Sequence, residues 1–222
     1  MLFHAYQPWS LLTGFACPFK YQLGIFMQPL GYLYKRVAVR PDWLKAGQVE
    51  DIYALSGCIS EDFADYVNYW RHNGYWLFNS PEVMESLARE NSISLDGLKL
   101  FYYEAFEEEF DDTIDQWVSY EPEASFETEI IEPVERHLEG FDVTNFTVHT
   151  SPECSPLSCN SLAENLRTNK HCLFNTFDEA KSAIEEGKFE NAGEPGPYRI
   201  IAVYTVTRPN TQFDTDAARG ST

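Results

Sequence analysis

Residues 198–206 read Tyr-Arg-Ile-Ile-Ala-Val-Tyr-Thr-Val, an almost unbroken apolar run rich in β-branched and aromatic side chains. Pro197 stands before it and Arg208-Pro209 follows it, so the run is bounded at strand length. A strand of that composition is buried on both faces and belongs at the centre of a sheet. This requirement fixes the first expectation: a sheet with covering layers rather than a helical bundle.

Other segments supply the layers. Residues 33–39 alternate loosely and read as a strand that Arg40-Pro41 ends. Residues 49–55 fit a helix or a strand. Residues 60–72 read as a helix capped by Ser60, with Phe63, Val67 and Trp70 on one face and Asn73-Gly74 as its stop. Residues 75–78 form a short apolar strand. Ser80-Pro81 opens a second helix with a buried stripe of Val83, Met84, Leu87 and Ala88. Residues 98–106 and 141–149 read as further strands. Thr176-Phe177-Asp178-Glu179 is a capping box, with Phe177, Ala180 and Ile184 facing inward and Gly187 closing the helix. Strands and helices alternate without regular βαβ spacing. The expected class is therefore α+β, a mainly antiparallel sheet with helices packed against it around a single core. No internal repeat is evident.

The chain has 222 residues, enough for one substantial core without disulfide staples. The domain is expected over residues 30–208. Residues 1–29 read as an apolar arm or an upstream extension, Met1 and Met27 both being available starts, and residues 209–222 as a disordered tail. Pro8, Pro18 and Lys20 interrupt the apolar start, which argues against a membrane span there. Five cysteines, an odd number, read as reduced thiols of a cytoplasmic protein.

Charge is the strongest global signal. There are 35 acids against 16 Lys and Arg, a net charge of −19. That balance argues against contact with nucleic acid or an anionic membrane surface. Residues 104–139 hold 14 acids and one arginine, interleaved with aromatic residues. The leading expectation is a non-catalytic binding module of the immunity or inhibitor kind. It would dock a basic protein partner through Glu107, Glu108, Glu109, Asp111, Asp112 and Asp115, with Tyr103 and Trp117 as anchors.

The alternative comes from residues 149–172. Two Ser-Pro pairs, Cys154, Cys159 and Asn160 crowd a short loop, with His149 before it and His171-Cys172 after it. Two chemistries fit. A cysteine nucleophile, Cys154 or Cys159, would need a histidine base, His149 or His171, with Asn160 orienting it. A zinc site would draw four ligands from His149, Cys154, Cys159 and Cys172 or His171. The plainer alternative is a rigid surface loop with small, partly buried cysteines.

Overall fold

The computed structural model describes residues 26–60, 73, 75–120, 129–145, 154–190, 193 and 195–207. The expected helix over residues 61–72, the segment 1–25, His149 and the tail beyond residue 207 lie outside them. Among the described residues no helix is long and apolar enough to cross a membrane.

The apolar run is the strand that its composition requires. It is β7 (Tyr198–Val206), and Ile200, Ile201, Ala202 and Val203 have no exposed surface. It lies between β4 (Lys99–Asp111) and β6 (Arg136–Asn145), and β1 (Met27–Lys35) flanks β4 on the other side. Every pairing in this β1-β4-β7-β6 sheet is antiparallel. A short β5 (Gln116–Ser119) folds back on the far end of β4. A separate two-stranded ribbon joins β2 (Ala38–Val39) to β3 (Asp51–Ile52). The ambiguous segment 49–55 thus holds a two-residue strand. The strand expected over residues 98–106 runs on through the acids to Asp111, and β6 begins ahead of its expected start.

Two helices cover one face. Residues opposite each other across a ladder share a face, so Tyr32, Tyr102 and Tyr204 point the same way. Tyr34, two residues from Tyr32 and therefore on that face, donates its hydroxyl to Glu85 of α1 (Pro81–Glu90) at 3.1 Å. Phe177, the first residue of α3 (Phe177–Glu185), meets Phe106 and Phe141 edge to face, with ring centroids 4.9 and 6.1 Å apart. The capping box forms at α3: Glu179 N–H donates to Thr176 Oγ1 at 3.2 Å, and Asn175 N–H to the Glu179 carboxylate at 3.0 Å.

Coil and one short helix cover the opposite face. There Tyr53 packs its ring against Phe101 at 5.1 Å, and Leu55 reaches Asp142. The short α2 (Pro156–Cys159) follows Ser155, which also reaches Asp142.

The chain also contains an internal repeat, contrary to the expectation from sequence. Asn73-x-x-x-Leu77-Phe78-Asn79-Ser80 precedes α1, and Asn169-x-x-x-Leu173-Phe174-Asn175-Thr176 precedes α3. Phe78 bridges to Tyr32 of β1, and Phe174 bridges to Phe141 of β6. Both host strands carry a register shift, between Pro29 and Gly31 in β1 and between Leu138 and Gly140 in β6. The asparagines do the same work. Asn73 donates to Leu30 C=O at 2.7 Å and accepts from the N–H groups of Tyr75 and Leu77 at 2.9 and 3.2 Å. Asn169 donates to Glu139 C=O at 2.8 Å and accepts from His171 and Leu173 at 2.9 and 3.1 Å.

Glycine is required at both shifts. Gly31 and Gly140 have φ of +126° and +148°, and a Cβ on either would sit 2.6 Å from a backbone carbonyl. The repeat escapes a reading of sequence because only a few separated residues recur. The intervening pairs, Tyr75-Trp76 and His171-Cys172, share nothing chemically, although Trp76 and Cys172 have the same left-handed φ of 62° and 63°.

Candidate metal centre

Cys58, Cys154 and Cys159 come together on the coil-covered face. Their sulfurs all lie within 4.8 Å of one another. Cys58 is exposed, Cys159 half-buried and Cys154 buried. All four described cysteines, these three and Cys172, are free thiols.

Local structure explains each position. Cys154 sits where the chain returns to β6: Asn145 N–H donates to Cys154 C=O at 3.1 Å, and Cys154 N–H donates to Asn145 Oδ1 at 2.7 Å. Ser155-Pro156 then starts α2, whose single turn carries Cys159 back over Cys154. Cys159 N–H donates to Ser155 C=O at 2.9 Å. Asn160 closes the turn, and its Oδ1 accepts the Cys154 thiol at 3.1 Å. Cys58 arrives on the coil after β3.

Three buried polar side chains hold these segments. Lys35, at the end of β1, donates its ammonium to the carbonyls of Ala54, Leu55 and Ser56 at 2.6, 3.0 and 3.0 Å. Asp142 Oδ2 accepts Leu55 N–H at 2.8 Å and the Ser155 hydroxyl at 2.6 Å. Ser155 Oγ in turn lies 3.4 Å from Ser56 N–H, and Ser56 Oγ lies 3.5 Å from Cys159 Sγ. Burial raises the Asp142 carboxyl to about 6, against the pull of Ser155, Leu55 and Lys35.

The thiols crowd one another. Hydrogen-bonding contact with the Cys159 and Cys58 sulfurs, with burial added, pushes ionisation of Cys154 well above the ordinary thiol range. A thiolate there would face the two other sulfurs at close range. A divalent cation reverses that balance, because it favours the thiolate form at each ligand.

The structure sorts the residues singled out from sequence. It unites Cys154, Cys159 and Asn160, and it adds Cys58. Nothing in the local sequence marks Cys58, which stands in a Ser-Gly-Cys stretch far from the loop. Cys172 is 1% exposed and outside the group, with its thiol raised chiefly by burial. His171 is turned to other work. Its Nδ1 meets Asp51, its Nε2 lies 3.5 Å from Glu139, and its ring stacks on Tyr53 at 3.9 Å. Both nitrogens thus face carboxylates, and His171 stands outside the group of three cysteines. His149 lies outside the described residues.

The acidic stretch divides between interior and surface. Tyr103 is 0% exposed, on the sheet face away from the two helices, so it cannot anchor a partner. Its strand is central, and its neighbours β1 and β7 flank it on both sides. Glu109 pairs with the buried Arg199 at 2.6 Å, and Asp112 accepts Gly196 N–H at 2.8 Å. Asp111 accepts Thr113 N–H at 2.9 Å. Trp117 donates to Glu185 at 2.9 Å and rests on Phe106 and Phe110. Glu107 and Asp115 are exposed, and Glu108 is half-buried.

Comparison with family models, curated proteins and solved structures finds no match to this chain.

Proposed function

We propose that the chain binds a thiophilic divalent cation of the zinc class through Cys58, Cys154 and Cys159. The observation that supports this reading is the meeting of three sulfurs, within 4.8 Å, from two segments distant in sequence. Zinc–sulfur bonds of about 2.3 Å in a tetrahedron set the sulfurs about 3.8 Å apart, a separation that falls inside that limit. Soft thiolate donors select zinc or similarly soft ions over magnesium and calcium. When bound, zinc would hold the coil after β3 against α2.

Elemental analysis tests the reading. Reduced protein given one equivalent of zinc is expected to retain it through gel filtration, and Cys58→Ser is expected to lose it. Protein that stays metal-free in zinc excess, with thiols reacting at the rate of free cysteine, would sink the idea.

A second reading belongs to the tip of the β4–β5 hairpin. There Ile114 is 52% exposed between Asp112 and Asp115, with Glu107 on the same hairpin. An apolar tip ringed by acids suits docking to a basic protein, in the manner of an immunity or inhibitor protein. Capture of a basic partner that high salt releases, and that Asp115→Lys with Glu107→Lys abolishes, is the expected result. Retention by the double variant would remove the case for this reading.

A further inference from the structure

We propose that Asp142 is the positioning residue of the cysteine centre, tying together the two segments that carry its thiols. The inference rests on the metal-binding reading of the three cysteines.

One carboxylate oxygen makes the tie. Asp142 Oδ2 accepts from Leu55 N–H at 2.8 Å, three residues before Cys58, and from the Ser155 hydroxyl at 2.6 Å, directly after Cys154. Ser155 also begins the turn that ends at Cys159. The remaining oxygen, Oδ1, accepts Val143 N–H at 2.9 Å, which fixes the carboxylate on its own strand. Lys35 clamps the first segment independently through three carbonyls. Asp142 reaches both from the sheet, beneath the direct contact of Ser56 with Ser155.

The internal repeat gives a second, separate argument. Asp142 stands two residues beyond the shift glycine Gly140, and the matching position in β1, two beyond Gly31, is Leu33. Leu33 is 3% exposed within the core. The fold is therefore satisfied by an apolar side chain at this place. A fully buried carboxylate carries a desolvation cost that leucine does not. Asp142 is thus explained by the two segments that it holds, not by the sheet on which it stands. Groups that orient metal ligands without touching the ion commonly control affinity in this way.

Cobalt(II) is the probe, because thiolate-to-cobalt absorption reports the ligand set directly. Wild type, Asp142→Asn, Ser155→Ala and Ser155→Thr would each be titrated with cobalt(II) under reducing conditions. Asp142→Asn and Ser155→Ala are expected to weaken binding about 10-fold to 100-fold and to change the absorption band, and Ser155→Thr to restore both. Leu87→Ala, on the helix-covered face, is expected to lower thermal stability while leaving the band unchanged. If Asp142→Asn does not fold, Ser155→Ala carries the test, since it removes one arm of the tie. Wild-type affinity and spectrum in both variants would overturn the role of Asp142 alone. Absence of the thiolate band in wild type would overturn the metal reading, and this inference with it.

Discussion

The two halves of the sheet share a backbone and differ in what they do with it. In each, an outer strand shifts register at a glycine, an asparagine-keyed turn bridges onto that strand, and a helix follows to a central strand. The recurring residues are those that the backbone itself needs: a glycine where a Cβ would strike a carbonyl, and an asparagine that satisfies backbone groups in the turn. The substituted positions are where the halves part. Leu33 in the first half becomes Asp142 in the second. Lys99, opposite Lys35, becomes Arg199, opposite Thr144. Each lies by a tyrosine: Lys99 Nζ is 4.5 Å from the Tyr53 ring centroid, and the Arg199 guanidinium 3.2 Å from that of Tyr120. The lesson is that a repeated backbone can be preserved by very few residues while the side chains between them specialise.

The largest expected effect exposes that specialisation. Arg199 is 1% exposed and pairs with Glu109, whereas Lys99 is exposed. Arg199→Met leaves a largely buried Glu109 without its cation and is expected to cost about 3–5 kcal/mol in urea unfolding. Lys99→Met is expected to leave the midpoint close to wild type. Equal losses from the two would show that the matched basic positions have not diverged.

The next test concerns what the halves share. Gly31→Ala and Gly140→Ala each drive a Cβ to 2.6 Å from a backbone carbonyl at positive φ. Each is expected to cost about 3 kcal/mol. Asn73→Ala and Asn169→Ala each strand buried backbone groups and are expected to cost about 2 kcal/mol. Thermal unfolding of the four variants would show matched losses within each pair. A harmless change in one half would break the equivalence.

The last test is a pH dependence confined to the second half. The folded-state pKa of Asp142, about 6, lies above that of an unfolded aspartate. The folded state therefore holds this proton more tightly, and stability relative to Asp142→Asn is greatest below pH 4. It falls as the pH rises from about 4 to about 6, by up to about 3 kcal/mol, and is flat above that. Urea unfolding of both proteins across this range reads the difference directly. Leu33→Val, at the matching apolar position, is expected to run parallel to wild type at every pH.

Much of the architecture was legible in the residues. The buried strand at 198–206, the helices after Ser80 and Thr176, and the antiparallel α+β plan all follow from local pattern, because burial and capping act over a few residues. The candidate site was half legible. Cys154, Cys159 and Asn160 share one turn, and their spacing alone draws them together. Cys58 was invisible, because its approach depends on Lys35 and Asp142, which hold residues 54–56 over the sheet. His171 looked like a ligand and is instead committed to Asp51 and Glu139. Much of the acidic run read as surface, yet Glu109 is spent on Arg199.

By itself the sequence determined which segments are buried strands, where two helices begin, and how negative the chain is, for these depend on side-chain chemistry and near neighbours. Tertiary structure alone decided which cysteines meet, which acids are already paired, and that the two halves repeat. Those outcomes depend on ladder register and on buried hydrogen bonds between residues far apart in the chain, and a linear pattern carries no record of either.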